Sequence, residues 1–212
     1  MTTAKTTDDI IRKYGELSST ISLVRAAART KAQKLALVFG THIIRTSQTI
    51  VLLSKWEAYI EAHAICRLLF EHAFNLGALL ADEKHHDRLL EHSRGEPGRQ
   101  LKKIQEGQRK LQTLTPENAR RTQAYLDNPE RKNDPKTGLN WEQVAIAGGT
   151  DCFLVAYRQY SFRFAHSTLA SIIGKVEPSD VSELHENVWT VLELGRLLFR
   201  EKILNAAKRS RA

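Results

Sequence analysis

The sequence predicts an all-α protein, folded as a single-domain bundle of about six to eight helices. Apolar residues recur at helical spacing along most of the chain, and residues that cap or break helices separate these stretches. The chain has 212 residues, of which 42% are hydrophobic and 26% charged, and this suits one globular core. We expect residues 8–81 and 141–207 to form the core of the domain 1–212, and residues 82–140 to form its periphery.

The N-terminal part is predicted to hold three helices. Residues 8–34 carry apolar side chains at helical spacing, with Thr7 and Asp8 as possible caps, and they predict one long helix. Residues 35–54 predict a second helix, although they include Gly40 and a short β-branched run. Residues 55–81 are apolar with few helix breakers, so we expect them to form the central helix of the core.

The middle of the chain is more polar and is predicted to be peripheral. A helix over 82–93 should stop at the glycines and the proline within 95–98 and resume over 99–114. Residues 115–117, Thr-Pro-Glu, form a start signal for a further short helix. Residues 128–140 contain two prolines and a turn signal, so they predict a mobile loop.

The C-terminal part predicts two more helices. After a Gly-Gly pair, residues 150–173 form a strongly apolar pattern that we expect to be the second central helix. The last helix should begin after Pro178, with Ser179 or Asp180 as its cap, and should run into a basic tail.

Several features favour a cytoplasmic protein that does not cross a membrane. The opening segment lacks the uncharged apolar core of a signal peptide. The most apolar stretch, 60–80, contains charged side chains that the centre of a bilayer penalises, and we interpret it as a core helix. Cys66 and Cys152 each lie in an apolar helical pattern, and we expect both to be reduced.

The chain is basic, with a formal net charge of +8 and a pI near 9.6. This charge favours encounter with polyanions, so RNA or a nucleotide is an expected partner. A solvated surface that keeps the protein soluble is an equally good interpretation. The candidate phosphate-binding residues of the peripheral helices are Arg94, Arg99, Lys102, Lys103, Arg109, Lys110, Arg120 and Arg121.

The first candidate binding site is a stripe formed by His63, Arg67 and Glu71. Their spacing of four residues places the three side chains on nearly the same helix face. Arg67 and Glu71 lie in an apolar stretch, where a buried charge requires a partner. The alternative to a ligand site is an intrahelical ion pair that organises the core.

The second constellation has the residue types of an anion site, and it consists of Tyr157, Arg158, Ser161, Arg163 and His166. Tyr157 and Ser161 share a helix face. Arg158 and His166 differ by about 80° around the helix axis and about 12 Å along it, so we expect them to contact successive phosphates. The alternative for His166 is a hydrogen-bonded histidine that packs between helices.

These constellations resemble DUF5677, a family of helical bacterial proteins of unknown function. The resemblance rests on Arg-Leu-Leu-Phe-Glu at 67–71, on Tyr-Arg-Gln-Tyr-Ser at 157–161 followed by His166, and on Trp141. It covers about 35–173 and implies a helical fold with little agreed function.

A looser resemblance is to the HEPN superfamily, whose helical nucleotide-binding domains include metal-independent ribonucleases of toxin–antitoxin and antiphage systems. It implies RNA cleavage with His166 as general acid or base and with Arg158 or Arg163 stabilising the charge at phosphorus. Arg158 lies too far from His166 along the chain for the HEPN motif, and Arg163 lies too close. The nuclease motif is therefore not met, and whether the protein is an enzyme stays open.

No metal ion or cofactor is expected. Glu83 and His86 provide half of the Glu-x-x-His signature of di-iron bundles, but the sequence has no second copy, so we interpret them as a solvated helix face. The P-loop, Rossmann, hydrolase-elbow and zinc-ribbon motifs are also absent from the sequence.

The sequence leaves two functions open. The first is an RNA- or nucleotide-interacting protein of a toxin or defence system, with ribonuclease activity as its enzymatic form. The second is a noncatalytic protein whose helices mediate self-association or bind a protein partner. In that case Arg67, Glu71, Tyr157 and Ser161 form a polar network within the core.

Overall fold

The computed structural model describes residues 4–110, 114–127, 139–164 and 175–209, and these residues form helices and no strand. The all-α prediction is therefore confirmed. In chain order the helices are α1 (Thr7–Arg25), α2 (Lys31–Lys55), α3 (Tyr59–Ala81), α4 (Lys84–Lys110), α5 (Pro116–Leu126), α6 (Trp141–Gly148), α7 (Leu154–Arg163), α8 (Pro178–Phe199) and α9 (Ala206–Arg209). A 3₁₀ turn, Asp151–Phe153, precedes α7, and a π-helical segment, Arg200–Asn205, joins α8 to α9.

The chain divides into two compact units. The larger unit consists of Met1–Glu83 and Trp141–Ala212, and it contains α1 to α3 and α6 to α9. The smaller unit, Lys84–Asn140, contains α4 and α5, which pack against each other. The single-domain description stays a prediction.

The predicted extent of the first helix is wrong. Instead of one helix over 8–34, α1 ends at Arg25 and α2 begins at Lys31. The Thr30 hydroxyl accepts the backbone N–H of Gln33 at 3.2 Å, and Gln33 Oε1 accepts the backbone N–H of Thr30 at 3.3 Å. These reciprocal bonds satisfy backbone donors at the start of α2. Local capping therefore starts a new helix here, although the apolar periodicity predicted a continuous one.

The predicted break in the peripheral helix is also wrong, because α4 continues through residues 95–98. A glycine costs a helix about 1 kcal/mol relative to alanine and an interior proline about 3 kcal/mol, and α4 continues despite this cost. The start predicted at 115–117 is confirmed, since Thr115 Oγ1 accepts the N–H of Asn118 at 3.2 Å. Residues 111–113 and 128–138 lie outside the described residues.

The helix predicted over 150–173 begins later, and a helix that was not predicted from the sequence precedes it. This helix, α6, ends at Gly148, and Gly149 has a φ of 63°, a left-handed conformation that favours glycine. After the 3₁₀ turn, α7 runs to Arg163. Residues 165–174 lie outside the described residues.

Helix α3 lies at the centre of the larger unit, as predicted. It contacts α2, α6, α7 and α8, while α1 packs against α2 and α8. Its side chains Leu69, Phe70, Phe74 and Leu76 are almost fully buried, and Phe70 stacks on Phe153 with ring centroids 5.4 Å apart. Burying one such side chain contributes about 1.5 to 3 kcal/mol, so this helix supplies much of the core.

Helices α2 and α3 are long and apolar enough to span a membrane, judged by length and composition alone. The core helix of a soluble protein passes the same test, and more than half of the apolar window of α3 is buried in the bundle. The cytoplasmic location therefore stays a prediction. Cys66 is buried and Cys152 exposed, and both are free.

Helices α3 and α6 touch through their backbones. A Cβ atom at Gly77 would lie 2.6 Å from the carbonyl oxygen of Gly148, and one at Gly148 would lie 2.6 Å from the amide nitrogen of Ala78. Backbone atoms cannot move aside as a flexible side chain can, so both positions require glycine. This close approach fixes α6, which begins at Trp141, against the central helix.

An ion cluster links α1 to α8. Lys13 is nearly buried, and its Nζ lies 2.7 Å from Glu16 and 3.0 Å from Glu193. Arg196 also pairs with Glu193. Hydrogen bonds from Arg196 and Lys13 lower the pKa of Glu193 to about 2, so its carboxylate remains charged at neutral pH. These charges neutralise one another inside the fold.

The close approach of α3 and α6 predicts opposite effects for two glycine substitutions. Gly77→Ala should lower the free energy of unfolding by about 1 to 3 kcal/mol, because the new methyl group meets backbone. Gly15→Ala is the matched control: nothing lies within 4 Å of its added Cβ, and alanine there should stabilise α1 by up to about 1 kcal/mol. Urea denaturation of both variants measures the difference, and equal stabilities would contradict the packing described.

Candidate functional site

Three sequence-predicted residues meet in the structure: Arg67 and Glu71 of α3 and Tyr157 of α7. Together with Ser161, which lies one turn after Tyr157 on α7, they are called the polar cluster. Arg67 Nη2 lies 2.9 Å from Glu71 Oε1. The Tyr157 hydroxyl donates to the same carboxylate oxygen at 3.2 Å and accepts from Arg67 Nη2 at 3.4 Å. Guanidinium, carboxylate and phenol therefore form a closed triangle between two helices.

Aromatic side chains hold the triangle in place. The Tyr157 ring packs edge-on against Phe74, with centroids 5.6 Å apart, and the Trp141 ring centroid lies 6.4 Å from that of Phe74. The Arg67 guanidinium carbon lies 5.5 Å from the centroid of the Tyr157 ring, within the range of a cation–π contact. Tyr157 thus binds Arg67 through both its hydroxyl and its ring.

Burial makes the ion pair unequal. The Arg67 side chain is 36% exposed, whereas that of Glu71 is 16% exposed. Burial raises the pKa of Glu71, and the nearby charge of Arg67 offsets only part of this rise. For Arg67, burial alone would lower the pKa, but the hydrogen bond with Tyr157 and the charge of Glu71 outweigh it and raise the pKa. Arg67 therefore keeps its charge at neutral pH, whereas burial disfavours the charged form of Glu71.

Two polar atoms of the cluster are buried without a hydrogen-bond partner among the described residues: Arg67 Nε and Ser161 Oγ. A buried unpaired donor typically costs about 1 to 3 kcal/mol. Such groups are expected to bind water or a ligand atom. Within the described part of the larger unit, these two atoms leave the polar cluster with hydrogen-bonding groups that a ligand anion or hydroxyl can use.

His63 lies one turn from Arg67 but belongs to a different environment. It is fully buried, with Nδ1 2.6 Å from the carbonyl oxygen of Tyr59 and Nε2 3.2 Å from that of Asp180. Its ring lies 4.3 Å from that of Phe164. This is the environment of a histidine that packs α3 against α8, with a backbone carbonyl oxygen facing each ring nitrogen.

The basic residues of the second constellation lie in separate ion pairs. Arg158 Nη2 lies 2.7 Å from Glu142 of α6, and Arg163 Nη1 lies 3.1 Å from Asp180. The predicted start of the last helix is wrong, because α8 begins at Pro178 and its N-cap is Glu177 rather than Ser179 or Asp180. Asp180 lies three residues after this N-cap and accepts the backbone N–H of Glu177 at 3.0 Å, as in a capping box. Arg158 and Arg163 therefore contact α6 and α8 and do not join the polar cluster.

His166, the predicted general acid or base, lies outside the described residues. Its role and the catalytic roles of Arg158 and Arg163 stay predictions.

In the part of the chain that the structure describes, no three His, Cys, Asp or Glu side chains are grouped to hold a metal ion, and His86 pairs with Asp87 at 2.9 Å.

Two structural partners were missed by sequence reasoning. Glu142 was not recognised as the partner of Arg158, because 16 residues and the turn after α6 separate them. Phe74 was not singled out from the sequence either, although its ring packs edge-on against that of Tyr157. The α3 register offered one signal, since Phe74 lies seven residues after Arg67 and falls on the same face.

One protein-family model matches the chain, over residues 33–183, and it describes a family of unknown function, DUF5677. The match covers more than two thirds of the chain and includes every residue of the polar cluster. No curated protein and no solved structure matches the chain. The likeness to HEPN domains stays a prediction.

The unequal ion pair predicts unequal mutational effects. Arg67→Gln should destabilise the protein by about 1 to 3 kcal/mol, because it leaves a half-buried carboxylate without its cation. Glu71→Gln should change stability by less than about 1 kcal/mol, because the amide oxygen still accepts from Tyr157 and Arg67 is partly solvated. Urea denaturation at pH 7 measures both variants, and the reverse order would contradict the assignment.

Arg158→Gln is the matched control, because its pair with Glu142 is exposed on both sides and should be worth less than about 1 kcal/mol.

Proposed function

The chain belongs to DUF5677, a family of unknown function, and we propose that it is a polyanion-binding helical protein whose ligand is RNA or a nucleotide. The observation that carries the proposal is the uneven distribution of charge. Residues 84–140 contain thirteen Lys and Arg against eight Asp and Glu, a net charge of +5 within the +8 of the chain. The smaller unit thus carries most of the excess charge in about a quarter of the residues.

Part of the positive charge of the larger unit is neutralised internally. Lys13 and Arg196 share Glu193, Arg67 pairs with Glu71, and Arg163 pairs with Asp180. Cations that already have a carboxylate partner have less to gain from a phosphate. The higher density of net positive charge in residues 84–140 makes the smaller unit the better candidate for the electrostatic footprint.

The exposure of cations on α4 and α5 supports phosphate contact. Lys103, Arg109 and Arg120 are not buried, and Arg121 pairs with Glu117 with both side chains more than 70% exposed, which leaves the arginine exchangeable. The side chains of Arg94, Arg99, Lys102 and Lys110 lie outside the described residues. Tyr125 is the sole aromatic residue in the sequence of this unit, which favours phosphate contacts over base stacking.

The proposal concerns binding and assigns no cleavage. Arg158 and Arg163 would each have to leave a carboxylate to stabilise charge at phosphorus. A cytoplasmic location, and a role in toxin or antiphage systems, are part of the proposal and rest on the sequence and on resemblance alone.

A second candidate function, self-association or binding of a protein partner, is favoured by the outer face of α7. Val155 and Phe162 are 68% and 73% exposed. They lie seven residues apart, so they share one helix face. Large apolar side chains exposed together on a helix suit packing against another helix.

The proposed polyanion binding predicts a local charge effect. Lys103→Glu with Arg109→Glu should weaken binding of a single-stranded RNA about tenfold or more at low salt. It should also reduce the slope of log K against log salt by about one for each phosphate that the variant no longer binds. Fluorescence anisotropy across a salt series measures both quantities.

Arg25→Glu with Lys208→Glu is the matched control, because it changes the net charge equally but at exposed positions of the larger unit. An equal loss of affinity in the control would assign binding to net charge alone. No binding even at low salt would refute the proposal.

The second candidate predicts that Phe162→Ser lowers the mass of an oligomer at micromolar concentration without changing RNA affinity. Sedimentation equilibrium measures the mass. A wild-type protein that is monomeric under these conditions would contradict self-association through this face.

A further inference from the structure

Helices α2 and α3 bring two histidines side by side. The ring centroids of His42 and His72 are 5.3 Å apart, with the planes inclined at 35°. The ring of Phe39, which lies one turn before His42 on α2, is 5.9 Å from His72. Because α2 and α3 pack closely, the two imidazoles are held by rigid elements.

These two histidines differ from the other described histidines in their hydrogen bonding. His63 contacts two carbonyl oxygens, His86 contacts Asp87, and His185 lies 3.4 Å from the Ser54 hydroxyl. Neither His42 nor His72 has a hydrogen-bond partner among the described residues. His42 is exposed and His72 is half-buried, so solvent reaches the histidine pair.

The spacing of the rings suits one shared ion. With metal–nitrogen distances of about 2.0 to 2.1 Å, two imidazoles bound to one tetrahedral ion have ring centroids about 5 Å apart. The centroids of His42 and His72 have nearly this separation before any ion is bound. We propose that His42 and His72 form a two-imidazole site for a divalent transition-metal ion of the Zn²⁺, Ni²⁺ or Cu²⁺ class.

The ligand set defines the class of ion. Two nitrogen donors suit borderline transition metals, whereas Mg²⁺ and Ca²⁺ require oxygen donors. The described residues provide no third His, Cys, Asp or Glu at this place, so water completes the coordination shell. An ion bound here would link the middle of α2 to the middle of α3.

The test uses the full chain without a histidine tag, in the absence of RNA, and follows Tm with added Zn²⁺. At a Zn²⁺ concentration about ten times the dissociation constant, Tm should rise by about 3 to 5 °C. EDTA should reverse the rise, and Mg²⁺ should not produce it. Equilibrium dialysis should give one Zn²⁺ per chain.

Two variants assign the ion to this pair. His42→Ala changes an exposed residue and should abolish the rise in Tm without lowering the stability of the metal-free protein. His72→Phe keeps a ring against Phe39 and should also abolish the rise. The matched control is His86→Ala on α4, which should retain it.

A rise that persists in both His42→Ala and His72→Phe, or that disappears only in His86→Ala, would overturn the proposal. So would the absence of bound Zn²⁺ in dialysis of the wild-type protein. None of these results depends on RNA binding, so this site and the proposed function fail or succeed separately.

Discussion

The burial of α3 is the constraint on which the larger unit depends. A helix packed against α2, α6, α7 and α8 has to satisfy its polar side chains with groups from those neighbours, because little water reaches them. His63 meets the Asp180 carbonyl of α8, and the Arg67–Glu71 pair meets Tyr157 of α7. The same contacts that meet the cost of burying these groups also fix the positions of α7 and α8.

The polar cluster shows how a motif with the residue types of a ligand site becomes part of the packing. A carboxylate with a raised pKa, a cation that remains partly exposed, and two buried atoms without partners among the described residues leave the network incompletely satisfied. An apolar core of the same shape would avoid these costs. The cluster therefore contributes specificity to the arrangement of α3 and α7 and retains unused hydrogen-bonding capacity.

The two units differ in net charge, and the described histidines differ in their surroundings. Several cations of the larger unit, among them Lys13 and Arg163, lie in internal pairs, and most of the excess positive charge lies in residues 84–140. Among the described histidines, environment decides the chemistry. His63 packs between helices with a carbonyl oxygen facing each ring nitrogen, whereas His42 and His72 have no hydrogen-bond partner among the described residues. Identical side chains thus serve the fold in one place and offer a binding site in another.

The sequence by itself determined the helical class, the central position of α3, the capped start of α5 and the Arg67–Glu71 pair. Each of these depends on periodicity or on spacing within one turn, which are local properties. It did not determine that α4 continues past Pro97, nor that Thr30 separates α1 from α2, because these reflect a balance of small local energies.

Only the tertiary structure decided which distant residues meet. Tyr157 reaches Glu71 across 86 residues, Arg158 turns to Glu142, and His42 lies beside His72. These contacts follow from the angles at which helices pack and from close approaches such as that of Gly77 and Gly148. Helix packing angles cannot be read from the spacing of residues along the chain. The sequence therefore predicted which residues carry chemistry, and the tertiary structure determined which residues they contact.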